Sequence, residues 1–476
     1  MQLFNLLAGT QITIFGGTFP VALNWIGKII RWIIGGFSAV GVGIIVFSLV
    51  LKLVVLPFDI YQRISMRKQN TKMKENQEKM EKLQKQYAND KAMYNQKLME
   101  MYKANGISMF SSCLPMILSL VIFIVAINAF NAYAQYAAIE NYNYMVQAYN
   151  EQLLEYSPEI TDGNISDYQE DGKDYLLVKE NGKYIYILAN AEYDKTQYPT
   201  PVEYILSLDN MNANKTYYVD VDAVYADYKT DVDAAIEASK GEDGVPSLSK
   251  EDACKDLLIG KAQTAVVEVY NTVVKDKTSF LWIKNVWQTD ASYKSPVLSY
   301  SDFKTSASRE EFRINGKDVS FNKAESGGYT NAYKKTTYNL VTEKLDKQKD
   351  QANGYYILIL LSIGTILLQQ WISMRSQKEQ NKFSSVDGQG ASQQKMMMII
   401  MTVMFAIFAF MYSAAFSLYM ITGNVLSMIM TVVINKIVDV VLAKKEEKAL
   451  QDQYNRRFRG TRPVSTRGDK SKKDKK

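Results

Sequence analysis

The sequence predicts an α-helical polytopic membrane protein with a core of five spanning helices, a cytoplasmic helical hairpin and a mixed α/β extracytoplasmic domain. Three observations predict it. Five apolar stretches are long enough to cross a hydrocarbon core of about 30 Å. The 476 residues nevertheless have a mean hydropathy of only −0.19, so a large water-facing part must balance those stretches. Lys and Arg gather in two segments beside the apolar stretches and so set an orientation.

Residues 1–36 are expected outside the cytoplasm. Within them Trp25, Lys28, Arg31 and Trp32 sit among aliphatic residues, a composition suited to a helix lying in the membrane interface. The first span covers residues 37–58 and contains Lys52 in an otherwise apolar run. A charge at the centre of a span costs roughly 2.5–3.5 kcal/mol on insertion scales, so its default reading is functional. The plainer alternative is a lysine near the cytoplasmic end whose stem snorkels to the interface.

Residues 59–106 are strongly basic and form the expected cytoplasmic hairpin. Met66, Met73, Met80 and Tyr87 recur at heptad spacing, Asn89 and Asp90 supply a turn, and Met93, Leu98, Met101 and Tyr102 carry the returning helix. The seam reads either as a coiled-coil core or as an adaptable Met-rich surface for apolar partners.

The second span, 109–132, has no breaker between Pro115 and Pro158, so its helix is expected to project beyond the bilayer. Residues 133–353 form the extracytoplasmic domain. The segment 135–350 holds 36 carboxylates against 24 basic residues, in keeping with that side. Alternating residues around Asn181-Gly182 signal a hairpin, residues 216–225 look strand-like, and Lys250–Val274 looks helical. The third span covers 354–374, a polar cytoplasmic loop 375–395, the fourth span 396–416 and the fifth 418–442. The basic tail 443–476 is expected to be disordered and attracted to anionic surfaces, either lipid headgroups or ribosomal RNA.

Several chemistries are not encoded. The chain has no His and no Cys cluster, so the usual zinc and imidazole sites are not expected, nor is any cofactor. No GxxxxGK[ST] motif occurs, which excludes a P-loop nucleotide engine. Cys113 falls in the second span and Cys254 in the external domain, so no disulfide is expected between them. The start MQLFNLLAGT lacks a basic region, and no secretory signal peptide is expected.

Four spans present a polar face. Ser48 and Lys52 are four apart in the first, and Ser112 and Ser119 lie in the second. Ser362, Thr365 and Gln369 share a face of the third, and Asn424, Ser427, Thr431 and Asn435 follow similar spacing in the fifth. One such face is ordinary helix–helix glue. Several together with a lysine suggest a wet groove, and the stripes contain no acidic partner for Lys52. A lone positive charge with uncharged polar walls would bind acidic or polar segments and let them leave.

The motifs resemble those of the YidC/Oxa/Alb family of membrane protein insertases. KLVVLPF at 52–58 is similar to that family's basic residue and proline in its first core helix. The hairpin sequence 83–106, the Cys113-Leu114-Pro115 step, FLWIKNVWQTD at 280–290, LLQQ at 367–370 and LYMITGN at 418–424 follow in matching order. The departures are Lys52 for the usual arginine, Ser119 and Val121 for Gln and Pro, Ser413 for Pro, and Met420 for Trp.

The resemblance implies a five-helix insertase core whose hydrophilic groove is lined by Lys52, Ser48, Ser119, Ser362, Thr365, Gln369, Asn424 and Ser427. It also implies a hairpin (Met66, Met73, Met80, Tyr87, Asp90) that receives clients. The implied partners are nascent membrane proteins, the ribosome through the basic tail, the Sec translocon and the lipid bilayer. The implied place is the bacterial cell membrane, with the N-terminus outside and the C-terminus cytoplasmic. It implies no enzymatic step. The alternative is a membrane-anchored extracytoplasmic scaffold on a degenerate insertase core. A small-solute transporter fits less well, because neither paired intramembrane charges nor inverted repeats are evident.

Overall fold

A computed structural model describes residues 11–13, 23, 25–105, 110–156, 166–170, 173–180, 183–188, 196, 215–314, 317–326, 331–376 and 389–459. They divide into two units. One holds Met1–Val50, Leu120–Leu367 and Ile399–Thr422, the other Leu51–Ser119, Leu368–Met398 and Gly423–Lys476.

Helix α1 (Trp25–Gly35) packs Ile30, Ile33 and Ile34 against Val40, Ile44 and Phe47 of α2 (Val40–Glu75). Gly41 permits the close approach of a third segment, since a Cβ there would overlap the Phe280 ring. The other face of α1 turns Trp25 and Trp32 outward. The 36 residues of α2 exceed what a bilayer requires, and only Val40–Tyr61 has the length and composition of a span. Pro57 lies inside the helix without ending it. It lacks an N–H, so one intrahelical hydrogen bond is missing there.

In the second unit the hairpin closes through α3 (Gln77–Gln86) and α4 (Lys91–Ala104). Asp90 caps α4 by accepting from the Met93 amide at 2.9 Å. The seam is made by Met80, Tyr94, Leu98 and Tyr102, with Leu83, Tyr87 and Met101 against them. Met93 is exposed and Tyr94 takes its inward place. Between α2 and α3 lies buried Asn76, whose side-chain amide donates to the Lys72 carbonyl. The side chains of Met66 and Met73 lie outside the described residues.

Helix α5 (Phe110–Leu154) runs unbroken for 45 residues, about 68 Å, as the absence of a breaker predicts. It leads to a five-stranded antiparallel sheet of order β1-β5-β4-β3-β2. Its strands are β1 (Gln11–Thr13), β2 (Ser166–Glu170), β3 (Lys173–Glu180), β4 (Lys183–Leu188) and β5 (Lys215–Tyr218). Glu180 pairs with Lys183 in the register of a two-residue turn. Asn181-Gly182 itself lies outside the described residues. The N-terminal strand β1 was not foreseen; it pairs Gln11 with Tyr218 of β5.

The strand-like segment after Lys215 is a strand only as far as Tyr218. Asp220 then accepts from the Ala223 amide at 3.0 Å and starts α6 (Val221–Ala238). This N-cap outweighs the β-propensity of the following Val and Tyr residues. Helix α7 (Lys250–Val269) continues as a π turn to Val274. Ile139, Tyr142, Val146, Tyr149 and Leu153 of α5 form one core with Val224, Val232, Leu258, Ala262 and Val266.

The remaining long helices are α8 (Ile357–Ser376), α9 (Gln389–Met411) and α10 (Ala414–Arg459). Among the described residues, three helices are long and apolar enough to cross a membrane: Val40–Tyr61, Ile357–Arg375 and Ala414–Ile434. Helices α5 and α9 hold the residues of the second and fourth expected spans.

Two boundaries differ from expectation. The break between the last two helices falls at Tyr412-Ser413, so Phe416 belongs to α10. There the Ala414 and Ala415 amides donate to the carbonyls of Gln288 and Val286, both at 2.8 Å. Those distant acceptors satisfy orphan donors of a new helix end. The tail is helical to Arg459 rather than irregular from residue 443. KKEEKALQDQ is built of good helix formers and extends a helix already nucleated. Residues 460–476 lie outside the described residues.

Candidate functional site

Polar side chains on the apolar helices fall in both units. In the first, Ser48 is 2% exposed and its hydroxyl donates to the Ile44 carbonyl at 2.7 Å. Ser362 donates to the Ile359 carbonyl at 2.8 Å, and Thr365 to that of Ser362 at 2.9 Å. Their hydrogens are used within their own helix, which lets hydroxyls sit in apolar helices, while oxygen lone pairs remain to accept.

In the second unit, Lys52 Nζ lies 2.8 Å from Asp59 Oδ2, and the two side chains are 21% and 23% exposed. This overturns the expectation of a lysine without an acidic partner. Residues seven apart stand on one helical face about 10 Å apart along the axis. Helical side chains lean toward the N-terminus, so Asp59 reaches back while the long lysine stem reaches forward. On α10, Asn424 is buried, and Thr431 donates to the Ser427 carbonyl at 2.6 Å. Gln369 is half-buried, and the side chain of Ser119 lies outside the described residues.

Among the hairpin residues, Met80 is fully buried in the seam, Tyr87 borders it, and Asp90 is exposed as the α4 cap.

The loop 280–290, matched at the sequence level only as a motif, has a definite structural role in the first unit. Asp290 is fully buried; its Oδ1 accepts from the amides of Tyr355 (2.7 Å) and Tyr356 (3.1 Å), and its Oδ2 from that of Leu358 (2.7 Å). A carboxylate thus caps the positive N-terminal end of α8. A Cβ at Gly354 would overlap Asp290 Oδ1, so glycine leaves room for the cap.

Beside it, Asn353 donates to the carbonyls of Asn285 (3.0 Å) and Thr289 (2.9 Å) and accepts from the Asn285 amide (2.7 Å). Trp287 meets Tyr133 of α5 edge-on at 4.9 Å between ring centroids. With the Gln288 and Val286 carbonyls holding α10, one loop fastens α5, α8 and α10. Sequence reasoning missed this because the cap residue is 65 residues from the amide it serves.

Comparison with known proteins follows the same lines. The model of the family described as 60Kd inner membrane protein matches residues 32–161 and 265–441, well over half of the chain. The stretch between those matches carries β2–β5, α6 and the first part of α7. The membrane protein insertase YidC of Caldanaerobacter subterraneus subsp. tengcongensis is 37% identical over 98 residues, 21% of this chain and 46% of the relative. Its namesake from Clostridium tetani is 40% identical over 91 residues, 19% of this chain and 40% of the relative. That of Leptospira interrogans is 37% identical over 114 residues, 24% and 17% of the two chains. The chain spans less than half the length of each of these relatives. No solved structure matches it. The apolar helices make it a multi-pass membrane protein. With the match extending from α1 across the fastening loop to α10, the chain belongs to the 60Kd inner membrane protein family, that of YidC, Oxa and Alb.

Proposed function

We infer that this chain is a membrane protein insertase and chaperone that passes nascent membrane proteins into the bilayer along a hydrophilic groove carrying Lys52, without nucleotide hydrolysis. The observation that carries the reading is the half-buried Lys52–Asp59 pair within a span of mean hydropathy 2.5. Ionised groups in such a setting are costly and are kept for a task. The names of the relatives, membrane protein insertase, point to the same task.

Lys52 attracts an acidic or polar client segment, with Asp59 as the competitor that re-forms the pair and lets the segment go. Ser48, Ser119, Ser362, Thr365, Gln369, Asn424 and Ser427 supply uncharged walls. Burial of the client's own apolar helix drives the process, so no covalent step and no nucleotide are required. The hairpin receives clients, the basic end of the chain holds a ribosome, and the Sec translocon is a further partner.

Basic residues around the hairpin and the tail favour the cytoplasm for both. The pairing of β1 with β5 keeps residues 11–13 beside the sheet, which supports an external N-terminus. The test is complementation of an insertase-depleted bacterium by the full chain and by Lys52→Ala. Rescue by the first and failure of the second on clients with acidic translocated segments is expected; equal rescue would reject the role of the charge.

A second reading is a membrane-anchored scaffold on a degenerate core. It is favoured by one observation, that residues between 161 and 265 lie outside the family match and build a sheet. Failure of the full chain to rescue, with retention of a cell-envelope partner in pull-downs, would favour it.

A further inference from the structure

A cavity of about 210 Å³ lies within the first unit, between α5, the fastening loop and the Tyr412-Ser413 break. Helix α5 lines it with Asn131, Gln135 and Asn141, and the loop adds Gln288. Asn141 is only 8% exposed. None of these four amide side chains has a hydrogen-bond partner among the described residues. Asn141 is buried and the other three are half-buried, so their polar groups are open to the cavity, and a polar cavity this large accommodates several waters or a ligand against them. Ala134 and Ala138, interleaved with the amides on α5, keep the floor of the cavity open.

The chemistry of the lining narrows the ligand. Lys294, the cationic residue of the wall, is paired with Asp302 at 3.3 Å, so the cavity offers no free charge. The Trp287 ring is nine-tenths buried with Tyr133 against it, so it gives no flat aromatic platform for a sugar. A carboxamide carries one carbonyl acceptor and an N–H donor pair, the same groups a peptide main chain presents. Four such groups around a neutral cavity fit extended polypeptide held by its backbone, a mode indifferent to side-chain identity.

Resting on the insertase reading, we propose that this cavity is a second client site, which holds the main chain of a translocated polar segment on the external side. It would keep that segment from sliding back while the client's apolar helix settles in lipid.

The test uses the full chain in membrane vesicles, with a photo-crosslinking residue at Ala134 or, separately, at Val55 one turn from Lys52. The probe is a ribosome-bound single-span client with a short polar N-terminal segment. Crosslinks from both positions are expected, and Asn141→Leu or Gln135→Leu should each cut the Ala134 crosslink about fivefold, the worth of one neutral hydrogen bond. The Val55 crosslink should stay unchanged and so report that each variant is folded. Crosslinking at Val55 alone, or an Ala134 crosslink indifferent to both leucine variants, overturns the cavity proposal and leaves the insertase reading standing. Crosslinking at neither position overturns both. Labelling at Ala134 by an oligosaccharide but not by the client also overturns the proposal.

Discussion

Lys52 and Asp59 form an ion pair of 2.8 Å on a single helix, with Pro57 between them. Each charge is the other's compensation in an apolar span. Removing one leaves the other unpaired in a poorly solvated place, which typically costs more than the pair contributes. On the proposed function the two members of the pair would differ in role, the lysine attracting a client's carboxylate and the aspartate setting how readily it is released.

Lys52→Ala is expected to lower insertion of a client with acidic translocated residues by about tenfold, equivalent to roughly 1.4 kcal/mol. Asp59→Asn should leave capture intact and lengthen the lifetime of the client crosslink at Val55. In thermal denaturation, the double variant should be less destabilised than the two singles predict, with a coupling of about 1 kcal/mol. Additive effects on both readouts would mean that the pair is incidental to function.

Asp290→Ala strips the main-chain amides of Tyr355 and Leu358 at the start of α8 of their acceptor, while that of Tyr356 keeps the Asp290 carbonyl at 3.2 Å. Unsatisfied buried donors cost about 1–3 kcal/mol each before relaxation, so a net loss of about 3 kcal/mol is expected. Asp290→Asn should fall between, because one carbonyl oxygen remains while the amino group faces a donor. Gly354→Ala should resemble Asp290→Ala, since the added Cβ occupies the place of Asp290 Oδ1. Denaturation midpoints in detergent for the three variants check the ranking.

What was legible in the sequence was whatever depends on local period and composition. The length of α5, the β3–β4 register and the helical hairpin all follow from breaker spacing, a turn dipeptide and a heptad. The features missed are set by distant partners. Asp290 serves Leu358, Gln288 sets the start of α10, and β1 finds β5 across some 200 residues. Lys52 was visible as a charge, but its partner was not, because a pair seven apart lies beyond the usual three- or four-residue rule for helix neighbours. Tyr94 rather than Met93 faces the seam because which face of the returning helix turns inward is set by its packing against Met80, not by composition.

Burial, followed by the neighbouring Glu311 carboxylate, pushes the Glu310 pKa up to about 7 from 4.5. The folded chain therefore binds this proton more tightly than the unfolded chain between those values. Stability from Glu310 is fully present below pH 4.5, falls as pH rises through that window, and is flat above about 7. Glu310→Gln should remove this part of the pH dependence, raising the melting midpoint at pH 8 by on the order of 2 °C relative to the parent. Parallel pH–midpoint curves for parent and variant would show that the carboxyl is better solvated than its setting suggests.

The stretch carrying β2–β5 leaves and rejoins the rest of its unit at a single stitch, while β1 comes to the sheet from the N-terminal segment. Asp220 donates its amide to the Tyr156 carbonyl at 2.8 Å, so the chain before the sheet and the chain after it already touch. Tyr156 also bonds through its hydroxyl to Asp227 at 3.0 Å, which fixes the same junction from the helix side. Segments whose ends meet in this way are tolerated as insertions and removable as units. Replacing residues 157–218 by a short Gly/Ser turn should keep the α5–α6–α7 core, because Val219 stays in that core, Asp220 still caps α6 and the core side chains of α5 and α7 lie outside the excised stretch. The shortened chain should melt cooperatively with little loss in midpoint. If it also rescues an insertase-depleted strain as the full chain does, the sheet is an accessory to insertion. A shortened chain that folds yet fails to rescue would move the essential client contact into the sheet.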